Sequence, residues 1–107
     1  MRAASRSGSR SSSTTSSLEF VESALKEWRK LSADIRQQPK NKLSERLVHP
    51  HVPASRLHGL PDCYKIKLRA SGFRLVYQVH DKVLVVTVIA VGKREKGLVY
   101  LAAKKRL

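Results

Sequence analysis

Cys63-Tyr64-Lys65-Ile66-Lys67-Leu68-Arg69 and Phe73-Arg74-Leu75-Val76-Tyr77-Gln78-Val79, joined by Ala70-Ser71-Gly72, decide the fold of this chain. Apolar and cationic residues alternate with period two, the pattern of strands that bury one face and leave the other to solvent. Tyr64, Ile66 and Leu68 share one face, and Lys65, Lys67 and Arg69 the other. Phe73, Leu75 and Tyr77 extend the apolar face, while Arg74 and Gln78 join the lysines. Gly72 supplies the positive φ that a hairpin turn requires. After a second turn at His80-Asp81-Lys82, Val83 to Val91 is apolar on both faces, as expected of a central strand covered on both sides. Gly92 ends that run and delivers Lys93 and Arg94 at its exit.

Helices are expected on either side of this meander. Ser23 is placed to cap a first helix whose Leu25, Trp28 and Leu31 fall on one face. A second helix is expected from about Ala33 to Val48, turning Ile35, Leu43 and Leu47 inward. Pro39 lies inside it, removing one backbone hydrogen bond and clashing with the preceding turn, so a kink or a late start is expected there. His49-Pro50-His51-Val52-Pro53 must be a loop, and its two histidines, without a second pair of ligands nearby, read as solvated side chains. A last helix from about Glu95 to Arg106 sets Leu98, Leu101 and Ala102 on one side and Tyr100 on another. Before the first helix, Leu18-Glu19-Phe20 reads as an edge strand. The order helix, helix, antiparallel meander, helix is that of a small α+β domain.

Composition narrows the partners. The 107 residues suffice for one domain, with 41% hydrophobic residues for one small core. Lys and Arg number 22 against 8 Asp and Glu, a formal charge of +14. A compact domain with so much like charge repels itself, and RNA, DNA or an acidic protein would relieve it. Cys63 is the single cysteine, which rules out an internal disulfide and a thiolate zinc site and fits a reducing cytoplasm. The longest apolar run, Val83 to Val91, is strand-length and far short of a membrane helix. Residues 1–17 contain ten Ser or Thr and three Arg, with no acid and no large apolar residue after Met1. Such a stretch reads as a disordered extension. Its composition is also that of an organellar transit peptide, without the amphipathic periodicity. The folded part is expected from Leu18 to Leu107 and carries most of the charge.

Lys65, Lys67 and Arg74 are expected on one sheet face, with Arg94 at the end of the neighbouring strand and Tyr100 about two helical turns further. Such a surface can hold phosphates, with the tyrosine stacked on a base. It can also cleave RNA. Attack of a 2′-hydroxyl on its own phosphate needs a base, donors for the pentavalent phosphate and an acid for the leaving 5′-oxygen. No histidine lies within a strand of the basic face, and the nearest acid, Glu95, follows Arg94 directly. A lysine serves as a base only when its pKa falls from about 10.4, which neighbouring cations promote. Binding and cleavage both remain open on these residues alone.

Ala24-Leu25-Lys26-Glu27-Trp28-Arg29-Lys30-Leu31, Gly59-Leu60-Pro61-Asp62-Cys63-Tyr64-Lys65-Ile66-Lys67-Leu68-Arg69, Gly72-Phe73-Arg74-Leu75-Val76-Tyr77-Gln78-Val79 and Val91-Gly92-Lys93-Arg94-Glu95 closely resemble the RelE toxins of bacterial and archaeal toxin–antitoxin pairs. The resemblance runs from about Leu18 to the C-terminus. It implies a microbial-ribonuclease-like α+β fold and a metal-independent, ribosome-dependent mRNA endonuclease that cuts the A-site codon and stops translation. It implies no cofactor, a RelB-like acidic antitoxin, contact with operator DNA only through that antitoxin, and no membrane. Position by position, Lys67 matches the family's general base and Arg94 its general acid. Lys65 and Arg74 match the residues that stabilise the transition-state phosphate, and Tyr100 the tyrosine that stacks on the mRNA. His58 stands where the family often has an RNA- or ribosome-contacting arginine, with Arg56 two residues away as its substitute, and Lys93 joins the RNA-binding set. Pro39 replaces an apolar helix residue. The alternatives are a non-catalytic toxin of the same fold that poisons gyrase, which does not need the four cations, and a decayed nucleic-acid-binding relative.

Overall fold

The computed structural model describes residues 2–3, 15–68 and 72–107. Strand β1 (Arg2–Ala3) and strand β2 (Ser17–Phe20) lead into helix α1 (Glu22–Arg29) and helix α2 (Ala33–Val48). Strands β3 (Cys63–Leu68), β4 (Phe73–His80) and β5 (Val85–Lys93) follow, and helix α3 (Leu98–Arg106) closes the chain. The sheet order is β1-β2-β5-β4-β3. Its β3-β4-β5 part is the expected antiparallel meander, making an α+β domain with two helices before it and one after. The short strand from Ser17 pairs parallel to β5, so the sheet as a whole is mixed. Arg2–Ala3 pairs antiparallel to β2 on its outer side. Ser16 and Ser17, serines of the Ser/Thr tract, donate their N–H groups to Leu47 and Leu84. The disordered extension expected over residues 1–17 otherwise falls mainly outside the described residues, as do Arg69, Ala70 and Ser71 of the first hairpin. Gly72 is described and has the positive φ, 71°, that the turn was expected to need.

Period-two alternation holds through β3 and β4. Tyr64, Ile66, Leu68, Leu75, Tyr77 and Val79 lie in one core with Val86, Val88 and Val91 of β5. Ala24 of α1, Leu31 just after it and Leu43 of α2 cover that core. On the opposite face Cys63, Val76, Ile89 and Ala90 pack under Val99 and Ala103 of α3. The β5 strand is central, with a helix on each side, as its run of apolar residues, interrupted only by Thr87, implied. A bulge helps it serve both cores: the register shifts between Val76 and Tyr77, leaving Ile89 unpaired and sending Ile89 with Ala90 towards α3 and Val88 with Val91 towards α1 and α2.

Several local expectations differ from the structure. Val21, not Ser23, is the N-cap of α1 and makes no side-chain cap bond, whereas the Ser32 hydroxyl caps α2 by accepting from the Ile35 N–H at 3.4 Å. The inward face of α1 is carried by buried Ala24 and half-buried Trp28, with Leu31 buried just past the helix end, while Leu25 is half-buried. Helix α2 begins at Ala33 and passes through Pro39 as one element instead of starting late. The proline ring is fully buried. Its burial offsets part of the roughly 3 kcal/mol that an interior proline costs. The β4–β5 turn is a 3-10 turn over Asp81–Val83 followed by Leu84 in the left-handed region at φ 53°, so β5 starts at Val85.

The last helix shows the largest departure. A 3-10 turn over Glu95–Gly97 precedes α3, with Lys96 and Gly97 both left-handed, at φ 55° and 67°. This changes which face turns inward: Val99 and Ala103 are buried, whereas Leu98 and Leu101 are each 55% exposed. A helix continued without interruption from Glu95 would have had a different phase.

Candidate active site

Sheet register assembles the cations. Lys67 on β3 pairs with Arg74 on β4, and Arg74 pairs with Gly92 on β5, so the three positions form one row across the meander. Directly opposed residues on one face have Cβ atoms about 4.5–5.5 Å apart. Lys65 lies two residues along β3, paired with Val76, and so shares the face with Lys67. Arg94 follows the end of β5, where its N–H donates to the Gly72 carbonyl at 3.1 Å and fixes the strand exit beside the β3–β4 turn. A cleft of about 470 Å³ opens there, lined by Gly72, Lys93, Arg94, Glu95 and Lys96. Lys67 and Arg94 are exposed, and Lys65 and Arg74 half-buried. The Arg74 guanidinium donates to the Phe73 carbonyl at 3.0 Å, which braces its base. The ion pairs seen among the described residues are His51–Asp81 and Arg106–Glu27, neither of which involves these four cations.

Lys65, Lys67 and Arg74 stand in fixed register on a sheet whose other side is core, and so concentrate positive charge on one face. Tyr100 comes from α3, where it packs half-buried against the core that contains Leu60, Val76 and Val99. That core includes Val76, the cross-strand partner of Lys65. Arg56 is exposed beyond the outer edge of β3, bridged to Tyr64. His58 is exposed as well. Lys93 differs from the rest: its ammonium lies 6.0 Å from the Phe73 ring centroid, towards the α1–α2 side, although the residue also lines the cleft.

Three supports were not evident in the sequence. Arg46 on α2 donates to the Lys65 carbonyl at 3.4 Å and to the Tyr77 hydroxyl at 2.8 Å, and Tyr77 in turn donates to the Pro50 carbonyl at 2.8 Å. Burial pushes the Tyr77 phenol up, against the opposing pull of Arg46. His51 is not merely solvated: its ring nitrogens lie 2.8 Å from the Tyr64 hydroxyl and 2.8 Å from the Asp81 carboxylate, tying the loop before β3 to the β4–β5 turn. Glu27 on α1 and Arg106 on α3 form a two-pronged pair, both contacts 2.9 Å. Burial raises the Glu27 carboxyl, but the bonds from Arg106 and the Val91 N–H outweigh it and hold the group below its ordinary value. The carboxylate one turn before Leu31 is a local hint of half the pair, but nothing local points to its partner 79 residues on. Cys63 is buried beneath the site, its thiol pushed up to about 11 by burial and then by Asp62, so it is no nucleophile.

Comparison with known proteins gives this geometry a context. The family model for the ParE toxin of the type II toxin–antitoxin system parDE matches residues 18–97. The chain is 60% identical over 90 residues to the mRNA interferase toxin RelE of Escherichia coli K12, an alignment spanning 84% of this chain and 95% of that protein. A free-state structure of an arginine double mutant of E. coli RelE superposes with a TM-score of 0.78 at 59% identity, covering 84% of this chain and 95% of that one. The structure of the intact E. coli RelBE toxin–antitoxin complex matches with a TM-score of 0.71 at 62% identity, over 73% of this chain and 95% of its counterpart.

Proposed function

This chain belongs to the RelE toxins of type II toxin–antitoxin systems, and on that premise we propose that it cleaves mRNA in the ribosomal A site through Lys65, Lys67, Arg74 and Arg94. The activity is that of an mRNA interferase, an endoribonuclease. The observation that carries the site assignment is the row Lys67–Arg74–Gly92, with Lys65 on the same face and Arg94 at the strand exit. Lys67 removes the proton of the 2′-hydroxyl, whose oxygen attacks the adjacent phosphate. Lys65 and Arg74 donate to the non-bridging oxygens as charge builds on the pentavalent phosphate. Arg94 protonates the departing 5′-oxygen. A guanidinium holds its proton against water near neutral pH, but a 5′-alkoxide is a stronger base than neutral guanidine and takes that proton as it departs, after which solvent reprotonates Arg94. Tyr100 stacks on a base of the message, and Arg56 and Lys93 hold flanking phosphates.

The ribosome supplies what this small domain lacks, a constrained message whose scissile phosphate is presented in line for attack. The partner that silences the toxin is a RelB-like acidic antitoxin, in keeping with the +14 charge of the chain and with the RelBE complex to which it is similar. Residues from about 18 onward carry the activity, which is exercised in the cytoplasm. A gyrase-poisoning function would leave the four cations without a task. Induction of the chain without antitoxin followed by primer extension on abundant transcripts is expected to give growth arrest and new 5′ ends phased to the A site. Arrest with intact transcripts and an SOS response would instead support the gyrase reading.

A further inference from the structure

Helix α3 lies against β5 and β4. It has nine residues, of which Val99 and Ala103 are the buried ones, and Gly97 provides no side-chain cap. An isolated helix of this length does not persist in water, so tertiary contacts must fix it. At its start Lys96 and Gly97 are both left-handed, so no continuous helical backbone links α3 to the end of β5. At its far end stands Arg106, on the same stripe as Val99 and Ala103. Its two terminal guanidinium nitrogens donate to the two Glu27 oxygens, both at 2.9 Å, and Nη1 also donates to the Ile89 carbonyl at 2.9 Å.

The location of this contact explains its form. Strand β2 stops pairing at Phe20 opposite Val88, so beyond that point the β5 edge has no neighbouring strand in β2. Glu27 accepts from the Val91 N–H at 3.0 Å while Arg106 donates to the Ile89 carbonyl. One bidentate side-chain pair thus completes the edge left open where the chain turns into α1, and joins α1, β5 and α3. Charge-assisted, two-pronged bonds of this kind are among the stronger and more directional contacts a protein makes.

We propose that Glu27 and Arg106 are positioning residues that hold α3 against the sheet, and so hold Tyr100 beside the cation row where the message binds. This rests on Tyr100 contacting mRNA as described above. Without the clamp, α3 pivots at Lys96–Gly97 and Tyr100 loses its fixed place, while the row Lys65, Lys67 and Arg74, on strands the clamp does not touch, stays in register.

The test uses the full chain with Arg106→Ala, Arg106→Lys and Glu27→Gln, read by hydrogen exchange and by cleavage of ribosome-bound mRNA. In Arg106→Ala, α3 amides are expected to exchange at least tenfold faster, with β4 amides within threefold of the parent. KM for the mRNA-programmed ribosome should rise about tenfold, with kcat within threefold. Arg106→Lys, which keeps the charge and one bond, should recover most of both changes. Glu27→Gln, which keeps an oxygen for Val91 but loses the charge, should fall between and provides the test if Arg106→Ala does not fold. Unchanged α3 exchange, or faster exchange with unchanged KM, overturns the proposal. Tyr100→Ala in the parent chain separates the two readings: if it leaves KM unchanged, the Tyr100 assignment fails irrespective of what the clamp variants do to α3.

Discussion

Lys67→Ala is expected to slow single-turnover cleavage of ribosome-bound mRNA by about 100- to 10,000-fold, the usual loss on removing a general acid or base. Arg94→Ala is expected to lose a comparable factor. Neither change should unfold the protein, because both side chains are exposed, and surface substitutions usually alter stability by less than about 0.5 kcal/mol. The decisive companion is Lys67→Arg. It preserves the positive charge opposite Arg74, but a guanidinium does not deprotonate near neutral pH. If Lys67 only attracts phosphate, the arginine variant keeps activity within about tenfold of the parent. If Lys67 accepts the 2′-hydroxyl proton, the variant is nearly as slow as alanine. The second outcome is expected.

The largest stability loss is expected at Tyr77. Its side chain is 0% exposed, and its ring stacks on Tyr64 with centroids 5.5 Å apart at 16°. Its hydroxyl receives the Arg46 bond and donates to Pro50. Removing a buried aromatic ring costs about 3–5 kcal/mol through lost transfer energy and the cavity left behind. Truncation also leaves the Pro50 carbonyl and one Arg46 donor without their partner, which adds to the loss. A domain of this size has roughly 5–15 kcal/mol in total, so Tyr77→Ala should leave a large unfolded fraction. Tyr77→Phe keeps the ring and should lose only about 1–2 kcal/mol. Urea denaturation in the non-toxic Lys67→Ala background checks both. A Tyr77→Ala midpoint close to its parent would show that Arg46, Tyr77 and Pro50 do not brace the sheet.

The strands were legible because each position of β3 and β4 answers to one rule, the alternation of faces, and because β5 is apolar enough to exclude an exposed face. The cation face followed directly from that alternation, since Lys65, Lys67 and Arg74 had nowhere else to point. The helices were harder. Ser32 and Ser23 look alike in sequence, and only the backbone path after β2 makes one a cap and the other an exposed residue of the first turn. The face of α3 was misread because two consecutive left-handed residues at Lys96 and Gly97 reset the helical phase. Glycine permits such a conformation, but nothing in a lysine announces it. The Arg46–Lys65, His51–Tyr64 and Glu27–Arg106 bonds span 13 to 79 residues, distances over which no local pattern names both partners.

Pro39 also changes meaning between sequence and structure. By propensity it threatens the helix, and with it the scaffold beneath Lys65. In the fold its ring is core, α2 is continuous, and Arg46 one helical stretch later reaches the Lys65 carbonyl. The cation row and the Arg46 bond beneath it are therefore both in place.

The chemistry assigned to that row is tested most directly by replacing the scissile 2′-hydroxyl of a ribosome-bound message with hydrogen. Cleavage by attack of that hydroxyl predicts that the all-ribose message is cut, with a 2′,3′-cyclic phosphate on the upstream product, and that the singly deoxy message stays intact. Cutting of the deoxy message at the same phosphate would contradict it.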